Sequence, residues 1–192
     1  MEEIILASAS PRRRELLEQI GIFYRVMAST KEEKAEGDSP QLIVQSLARQ
    51  KAEDIAGQIK EPGKLVLGAD TIVVWKGQIL GKPADHEDAR TMLKKLQGNR
   101  HQVFTGVAFS RMNKEGKIQT HTFYEVTEVE VYPMSEEEIL AYIASGHSDD
   151  KAGAYGIQGS FGAYIKGIKG DYYNVVGLPV GRVYQELKKM RR

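Results

Sequence analysis

Apolar runs and helical patterns alternate along the chain from its first residues. Two Ser-Pro pairs, Ser10-Pro11 and Ser39-Pro40, place an N-cap residue before a proline at the first helical position, and each predicts the start of a helix. Short apolar runs between the helical segments predict buried strands. The first half of the chain is therefore predicted to contain a strand at residues 4–7, a helix from Pro11 with its C-cap at Gly21, a helix from Pro40 to Ala56 ended by Gly57, strands at 65–67 and 72–75, a hairpin turn at Lys76-Gly77 into residues 78–80, and a helix capped by Asp85 with Asp88 that ends near Gly98.

The second half of the chain is richer in strand patterns. Residues 101–109 and 118–131 flank a polar turn that contains Asn113 and Gly116, which predicts a long hairpin. The remaining predicted elements are a helix from the Ser135–Glu138 capping box to Ser145, a strand at 163–168, a turn at Gly170-Asp171 and a last helix after Pro179. These patterns predict a mixed α/β fold with a long antiparallel component. Because there is no internal repeat and no long linker, residues 1–192 are predicted to form one domain.

The composition narrows the class of protein. The 192 residues are 41% hydrophobic and 28% charged, and 27 basic against 26 acidic residues give a net charge of +1. This near-neutral balance provides no general attraction to nucleic acid or membrane, so any anion site must be local. The absence of cysteine excludes disulfides, thiolate metal sites and cysteine nucleophiles. An acidic start and the lack of any apolar stretch of ~20 residues predict a cytoplasmic protein without a signal peptide or membrane span.

Basic residues crowd the first turn of the first predicted helix. Arg12 and Arg13 lie where the helix dipole is positive and backbone N–H groups lack partners, so cations are disfavoured there unless an anion lies nearby. Together with the hydroxyl groups of Ser8 and Ser10, the free amides and guanidinium groups form a candidate phosphate site. The alternative is a solvated basic patch on a surface helix.

Lys51 interrupts the apolar face of the second predicted helix. At ~100° per residue, this face comprises Ile43, Leu47, Ala48 and Ile55, with Lys51 in its middle. A lysine at such a position must either extend its ammonium group to the edge of the face or meet an anion in a cleft. The pattern alone leaves both possibilities open.

Asp70 lies within an apolar run, two residues after Gly68. This position predicts a strand end or a bulge where the backbone is open to a ligand. The carboxylate can hold Mg²⁺, orient a water molecule or do both, whereas an aspartate that caps a turn is the alternative. Glu32 and Glu33 offer a second carboxylate, although acidic pairs in loops are usually only solvated.

Two later segments carry further candidate binding residues. Lys82 follows the predicted hairpin on a stiff turn, where it can reach a polyphosphate or be an ordinary surface lysine. In the glycine-rich segment 150–162, Tyr155 and Ile157 lie between the glycines, which predicts close packing rather than a flexible loop. Gln158 offers both a donor and an acceptor, which suits contact with the edge of a base.

Several common catalytic motifs are missing from the sequence. There is no Walker phosphate loop, no dinucleotide-binding fingerprint after a strand and no G-x-S-x-G elbow. The four histidines are scattered without the spacing of metal ligands, so no zinc site is predicted. A phosphate cradle, two lysines and one or two carboxylates indicate instead a metal-assisted attack on a polyphosphate.

Five segments, in order and over nearly the whole chain, together resemble the Maf family of nucleotide pyrophosphatases. The matching segments are Ser8-Ala-Ser-Pro-Arg-Arg13, Gly68-Ala-Asp-Thr71, Gly81-Lys-Pro83, Asp150-Lys-Ala-Gly-Ala-Tyr-Gly-Ile-Gln-Gly159 and Gly170-Asp-Tyr-Tyr-Asn-Val-Val-Gly-Leu-Pro179. The resemblance implies a two-lobed α/β fold around a central cleft, shared with inosine triphosphate pyrophosphatases. It also implies hydrolysis of nucleoside triphosphates between the α and β phosphates, with release of pyrophosphate.

The resemblance also implies roles for individual residues. Asp70 matches the catalytic carboxylate of the family, Glu33 matches a glutamate associated with a metal, and Arg13, Lys51 and Lys82 match positions that handle phosphate. The implied cofactor is a divalent cation, Mg²⁺, with Mn²⁺ or Co²⁺ as alternatives.

Two points stay open within the resemblance. The family often has Asp-Glu where this chain has Glu32-Glu33, so the choice of the functional glutamate is not fixed. Homodimers are common in the family, but the sequence itself indicates none.

Three positions divide the family by substrate. Arg12, Thr71 and Gln158 resemble the branch that acts on dTTP and UTP, whereas the branch that prefers 7-methyl-GTP has tryptophan, glutamine and glutamate there. A neutral glutamine suits an uncharged pyrimidine, while a glutamate can pair with the cationic methylated guanine. The resemblance thus implies pyrimidine triphosphates, including modified ones, as substrates, and a role in clearing unwanted nucleotides from the pool.

Two other classes of function compete with this interpretation. A regulatory protein that acts on septum formation during cell division is the first, because the family is also named for septum inhibition; it would need no intact Asp70. A binder of single-stranded nucleic acid is the second. Near-neutral charge and few aromatic residues beside basic ones count against it, so no stable nucleic-acid complex is expected.

Overall fold

A computed structural model describes residues 3–59 and 61–190 of the chain. Within these ranges the chain forms strands and helices that alternate, and the predicted mixed α/β class is confirmed. The strands are β1 (Ile4–Leu6), β2 (Tyr24–Val26), β3 (Val66–Trp75), β4 (Gln78–Leu80), β5 (Arg100–Met112), β6 (Ile118–Val131) and β7 (Ile165–Lys169). The α-helices are α1 (Pro11–Gln19), α2 (Pro40–Ile59), α3 (His86–Leu96), α4 (Glu136–Ala144), α5 (Tyr172–Val176) and α6 (Val180–Met190), and short 3-10 helices cover Ala152–Ala154 and Ser160–Tyr164.

The strands form one mixed sheet in the order β2-β1-β3-β5-β6-β7, with β4 paired to β3. The strands β2 and β3 both run parallel to β1, because helices α1 and α2 carry the chain back between them. The later pairings of β4 with β3 and of β7 with β6 are antiparallel. Neighbouring β5 and β6 are joined at Asn113–Lys117, where the Asn113 amide donates to the Lys117 carbonyl, so the predicted long hairpin is confirmed.

The chain divides into two compact units. The first, unit 1, comprises Met1–Asp70, Thr105–Glu125 and Gly177–Arg192, and the second, unit 2, comprises Thr71–Phe104 and Val126–Val176. The first boundary lies inside β3, between Asp70 and Thr71. The prediction that residues 1–192 form a single bilobed domain remains a prediction.

In unit 1, helix α2 packs closely on the sheet. A Cβ atom at Gly68 of β3 would lie 2.3 Å from the carbonyl oxygen of Ala48, and one at Gly106 of β5 would lie 2.2 Å from that of Val44. Only glycine permits such an approach of helix to strand. The small side chains of Ala48 and Ala52 continue the contact into a core cluster of residues from β1, α2, β3 and β5. This packing sets the position of α2, and therefore of Lys51, relative to β3.

Most of the predicted starts and caps are confirmed. Ser10 precedes Pro11 at the start of α1, Asp85 accepts a hydrogen bond from the Asp88 amide, and Ser135 and Glu138 form a complete capping box. The Lys76-Gly77 turn has positive φ angles of 47° and 79°, as a two-residue hairpin requires. The C-cap of α1 is Ile20 rather than Gly21, which follows with φ of +66°.

Two predicted boundaries are wrong. Helix α2 does not end at Gly57 but continues to Ile59, which packs against the core cluster. This contact outweighs the ~1 kcal/mol that a glycine costs inside a helix. The two strands predicted at 65–67 and 72–75 are one strand, β3, which passes without interruption through Gly68–Thr71. The prediction of a strand end or bulge at Asp70 is therefore wrong, because the close contact of Gly68 with α2 needs no break in the strand.

The patterns missed some shorter elements. The strand predicted at 163–168 begins only at Ile165, because Ser160–Tyr164 forms a 3-10 helix. The strand β2, the helix α5 and the 3-10 helix Ala152–Ala154 are too short to carry a clear period. None of the helices in the described part of the chain combines the length and the apolar character needed to cross a bilayer.

Candidate active site

Lys51 brings two carboxylates together in unit 1. Its Nζ lies 2.5 Å from Oδ1 of Asp70 and 3.1 Å from Oε2 of Glu33. The side chains of Lys51, Asp70 and Glu33 are 15%, 18% and 31% exposed, so the group is partly shielded yet open to solvent. Of the two alternatives for Lys51, the structure shows the one in which its ammonium group meets anions. Glu33 is the glutamate of the Glu32-Glu33 pair that makes this contact.

The apolar face on which Lys51 was predicted to lie is shifted by about one residue. Ala48 and Ile55 are buried as predicted, but Ile43 and Leu47 are only partly buried, and Val44, Ala52 and Ala56 complete the buried face. Lys51 therefore lies at the border of this face, beside buried Ala52. From there its stem covers apolar surface while its ammonium group reaches Asp70 on β3.

Arg13 is a buried cation in the first turn of α1. Only 8% of Arg13 is exposed; its Nε donates to the carbonyl of Gly177 at 2.9 Å and its Nη1 donates to Oγ of Ser8 at 3.0 Å. The two acceptors hold the plane of the guanidinium group in one orientation. Ser8 also accepts a weaker hydrogen bond from the Ser10 amide at 3.3 Å.

Burial and neighbouring charges act on Arg13 in opposite directions. Burial lowers the pKa of Arg13 and the positive charge of Arg12 adds to this, whereas the carboxylates of Asp70 and Glu33 raise it. A guanidinium group keeps its proton under such conditions. Arg13 and Lys51 therefore remain two fixed positive charges beside two carboxylates.

The start of α1 leaves room for an anion. Ser10 has the extended conformation of an N-cap, but its side chain makes no capping hydrogen bond, and no acidic residue lies in the first turn. The backbone N–H groups of that turn therefore lack the usual side-chain acceptor. Arg12, partly buried in the same turn, adds positive charge. This arrangement agrees with the phosphate site predicted for the segment.

Three predicted site residues belong to unit 2. Thr71 follows Asp70 on β3 and is partly buried, Lys82 is exposed after β4, and Gln158 is exposed between the two 3-10 helices. Within unit 2, the Gly153 amide donates to the carbonyl of Gly81, which precedes Lys82, at 2.9 Å. The structure thus brings together the charged residues of unit 1 and, separately, the segments that carry Lys82 and Gln158.

The glycine-rich segment of unit 2 is packed, as predicted. Tyr155 and Ile157 are 5% and 9% exposed. Among the residues that the structure describes, no group of three or more His, Asp or Glu side chains is arranged to hold a metal ion.

Sequence reasoning missed one member of the site. The carbonyl of Gly177 is the acceptor for Arg13, although 164 residues separate the two along the chain. Gly177 lies in one of the segments that resemble the Maf family, and its φ of +129° favours glycine. That glycine was the only local signal, and it gives no indication of a partner.

Comparison with known proteins places these features in a family. The family described as Maf-like protein matches residues 3–190. A dTTP/UTP pyrophosphatase of Agathobacter rectalis is 52% identical over 201 residues, covering 99% of this chain and 98% of the relative. A dTTP/UTP pyrophosphatase of Lachnoclostridium phytofermentans is 48% identical over 189 residues, covering 98% and 95%. The solved Ham1 protein of Staphylococcus aureus is 18% identical, with a TM-score of 0.47 and coverage of 68% and 72%. The match over residues 3–190 and the near-complete coverage of relatives half identical in sequence mean that this chain belongs to the Maf family.

Proposed function

We propose that the protein hydrolyses nucleoside triphosphates, chiefly dTTP and UTP and their modified forms, to the monophosphate and pyrophosphate. The observation that carries the proposal is the Lys51 ammonium group held between Asp70 and Glu33 beside the buried Arg13. Such paired charges match a polyphosphate together with its counter-ion. Relatives named dTTP/UTP pyrophosphatase, half identical over almost the full length, support the choice of substrate.

The proposal includes a divalent cation, Mg²⁺ with Mn²⁺ or Co²⁺ as alternatives. Asp70 and Glu33 would hold it, because carboxylate oxygens are hard ligands and Mg²⁺ is commonly bound by one or two carboxylates plus substrate phosphates. The two side chains fit this requirement, since both converge on the single ammonium group of Lys51. When bound, such an ion neutralises phosphate charge and makes a coordinated water more acidic.

In the proposed reaction, the oxygen of a water molecule attacks the α-phosphorus and the bond from this phosphorus to the bridging oxygen breaks. Asp70 orients the water and takes its proton, and pyrophosphate leaves with the electron pair of the broken bond. Arg13 and Lys51 stabilise negative charge on the phosphates. Because Gly177 and Ser8 fix the guanidinium plane, Arg13 needs little reorganisation when substrate binds.

The other predicted site residues receive proposed roles from their chemistry. Lys82 contributes a positive charge toward the leaving pyrophosphate, and the hydroxyl groups of Ser8 and Ser10 contact phosphate. Gln158, which is exposed, carries an amide that can both donate to and accept from a pyrimidine edge. Arg12 and Thr71 complete the proposed recognition of the base.

The experiment that tests the proposal measures the products formed from a panel of nucleotides. Purified protein is incubated with dTTP, UTP, dCTP, dATP and 7-methyl-GTP, with Mg²⁺ or with excess EDTA, and the products are separated by ion-exchange chromatography. We expect monophosphate and pyrophosphate from dTTP and UTP, and only with the metal. In isotopically labelled water the label should enter the monophosphate. Release of orthophosphate, or label in the pyrophosphate, would contradict the assigned bond.

The competing functions are not favoured by any described feature. A regulatory protein acting on septum formation would retain its cellular effect in an Asp70→Asn variant, and this variant separates the two hypotheses. A cytoplasmic location and a homodimer belong to the proposal as well. Light scattering of the purified protein measures the mass in solution and so tests the homodimer.

A further inference from the structure

A buried pair of polar rings in unit 2 has no role in the reaction proposed above. His101 near the start of β5 is 3% exposed, and Tyr155 after the first 3-10 helix is 5% exposed. Nε2 of His101 and the hydroxyl oxygen of Tyr155 are 2.7 Å apart, with the rings edge to face at 5.2 Å. This is a short hydrogen bond between a strand and the glycine-rich segment, formed away from solvent.

Both partners are neutral. Burial lowers the pKa of His101 to about 4, and burial also raises the pKa of the Tyr155 hydroxyl above its ordinary value. Nδ1 of His101 has no hydrogen-bond partner among the residues that the structure describes. The hydrogen bond to Tyr155 is therefore the polar interaction that the structure gives to this buried imidazole, and removing the hydroxyl group would leave both ring nitrogens without a partner.

Other contacts hold the same segment. The ring of Phe161 lies 4.7 Å from that of Tyr155, and the Gly156 amide donates to the Tyr142 hydroxyl at 3.2 Å. Ala154 has a φ of +60°, which is uncommon for a residue with a side chain and persists only where the surroundings hold it. The segment is thus fixed by its neighbours on both sides of Tyr155.

The order of buried and exposed residues connects this pair to base recognition. Tyr155 and Ile157 face the interior, and Gln158 next to them is exposed. Gln158 is three residues from Tyr155, so any rotation of the backbone at Tyr155 changes the direction of the Gln158 amide. A hydrogen bond to a base requires a direction correct to within tens of degrees.

We propose that His101 is a positioning residue, which holds Tyr155 and thereby fixes the direction in which Gln158 presents its amide to the pyrimidine base. This inference rests on the proposed function. It assigns His101 to substrate selection rather than to chemistry, because the imidazole is buried against Tyr155 and bonded to it.

Two pairs of variants test the inference. Tyr155→Phe removes only the hydroxyl group and keeps the ring against Phe161. His101→Leu removes the imidazole, whereas His101→Gln keeps an amide that can bond the Tyr155 hydroxyl. Ser110→Ala is the matched control, because it deletes another buried hydrogen bond, from Ser110 to Thr120 at 2.9 Å, in unit 1. Melting temperature is measured for each variant so that only folded proteins are compared.

The first measurement needs no nucleotide. Hydrogen–deuterium exchange of the amides at 156–159 should become about tenfold faster in Tyr155→Phe and His101→Leu, as expected when one buried hydrogen bond is lost. Exchange in His101→Gln and Ser110→Ala should stay close to that of the wild type. Unchanged exchange in Tyr155→Phe would overturn the inference.

The second measurement compares nucleotides. In Tyr155→Phe and His101→Leu, KM for dTTP should rise about tenfold with kcat within about threefold, and the preference for dTTP over dATP should fall by a similar factor. His101→Gln should restore most of the preference, and Ser110→Ala should keep all of it. Equal losses on every nucleotide, or no difference between His101→Leu and His101→Gln, would overturn the inference. Failure of the proposed function itself appears already as a wild-type protein that hydrolyses no triphosphate.

Discussion

The charged cluster of unit 1 and the glycine-rich segment of unit 2 solve opposite problems. In unit 1, Arg13 and Lys51 lie beside Glu33 and Asp70, and these groups keep their charges because opposite charges are paired. In unit 2, His101 is kept neutral by burial. The difference indicates that the first region is arranged to meet a charged ligand, whereas the second is arranged to keep its shape.

Exposure separates the two regions in the same way. The side chains of Lys51 and Asp70 are 15% and 18% exposed, while His101 and Tyr155 are 3% and 5% exposed. A site for polyphosphate must admit substrate, so its charges cannot be fully buried. A segment that only positions a side chain can exclude water completely. The predictions below test this contrast, beginning with the largest expected effect.

Replacing Asp70 with asparagine should abolish most of the activity and leave the fold intact. The variant keeps the size of the side chain but removes the charge that holds a metal and accepts a proton, and loss of a positioned base costs ~10²–10⁴-fold in rate. Single-turnover rates at saturating Mg²⁺ and melting temperature are measured on the same sample. Asp54→Asn is the control, because Asp54 on α2 also accepts a hydrogen bond, from Ser29. A normally melting Asp70→Asn that keeps more than about a tenth of the rate would contradict the assignment.

Acid should destabilise the neutral region through His101. Burial lowers the pKa of His101 to about 4 from an ordinary 6.5, so between these values the unfolded chain binds a proton that the folded chain does not. The free energy of unfolding should therefore fall as the pH decreases from 6.5 toward 4. The contribution of this one residue is up to about 3 kcal/mol.

Urea unfolding at several pH values, for the wild type and for His101→Gln, measures this contribution. The pKa values of the Glu130, Glu136 and Glu186 carboxyl groups are lowered by hydrogen bonds from lysine, so these groups also lose stabilising interactions in acid. The difference between the two proteins removes their share. Identical pH dependence in the two proteins would show that the imidazole does not stay neutral in the folded state.

Replacing Arg13 with lysine should impair the charged cluster although the charge is kept. Lysine lacks the planar group that donates at once to Gly177 and Ser8, so the positive charge is no longer held in one direction. A misplacement of about 1 Å in a site can cost ~10²-fold, and we expect a loss of that order in kcat/KM. Arg14→Lys, one residue later in the same helix, is the control. Equal effects of the two substitutions would contradict a special role for the Arg13 geometry.

The smallest expected effect is a change of substrate preference. Exchanging Arg12→Trp, Thr71→Gln and Gln158→Glu together should shift the ratio of kcat/KM from dTTP toward 7-methyl-GTP by about tenfold, since each mismatch at a base edge costs ~1–3 kcal/mol and the gains and losses partly cancel. The melting temperature is measured beside the kinetics. An unchanged ratio in a folded protein would exclude these positions from base recognition.

The sequence predicted the local features of the fold better than the long-range ones. The capping box at Ser135 and Glu138 and the turn at Lys76-Gly77 depend on neighbouring residues only, and both are confirmed. The end of α2 was wrong because Ile59 packs on a core that includes distant strands. The continuity of β3 was missed because Gly68 acts as a contact point for α2 and not as a break.

The same division applies to the site. Periodicity could place Lys51 near the apolar face, but only the fold could decide that it meets Asp70, 19 residues later, and Glu33. The pairing of Arg13 with Gly177 carried no local signal. The histidines were considered only as metal ligands, and the contact of His101 with Tyr155 lay outside any spacing rule. The roles of Lys82, Thr71 and Gln158 stay predictions.

The division of unit 1 into three chain segments has a consequence for synthesis on the ribosome. Its third segment, Gly177–Arg192, follows all of unit 2 in the chain and contains α6, which buries Val180, Val183 and Leu187. A nascent chain emerges from its N-terminal end, so unit 2 can be complete while unit 1 still lacks this segment. A product truncated before residue 177 would expose the apolar surface that α6 covers and would leave Arg13 without its Gly177 acceptor. Incomplete chains are thereby both inactive and open to proteolysis.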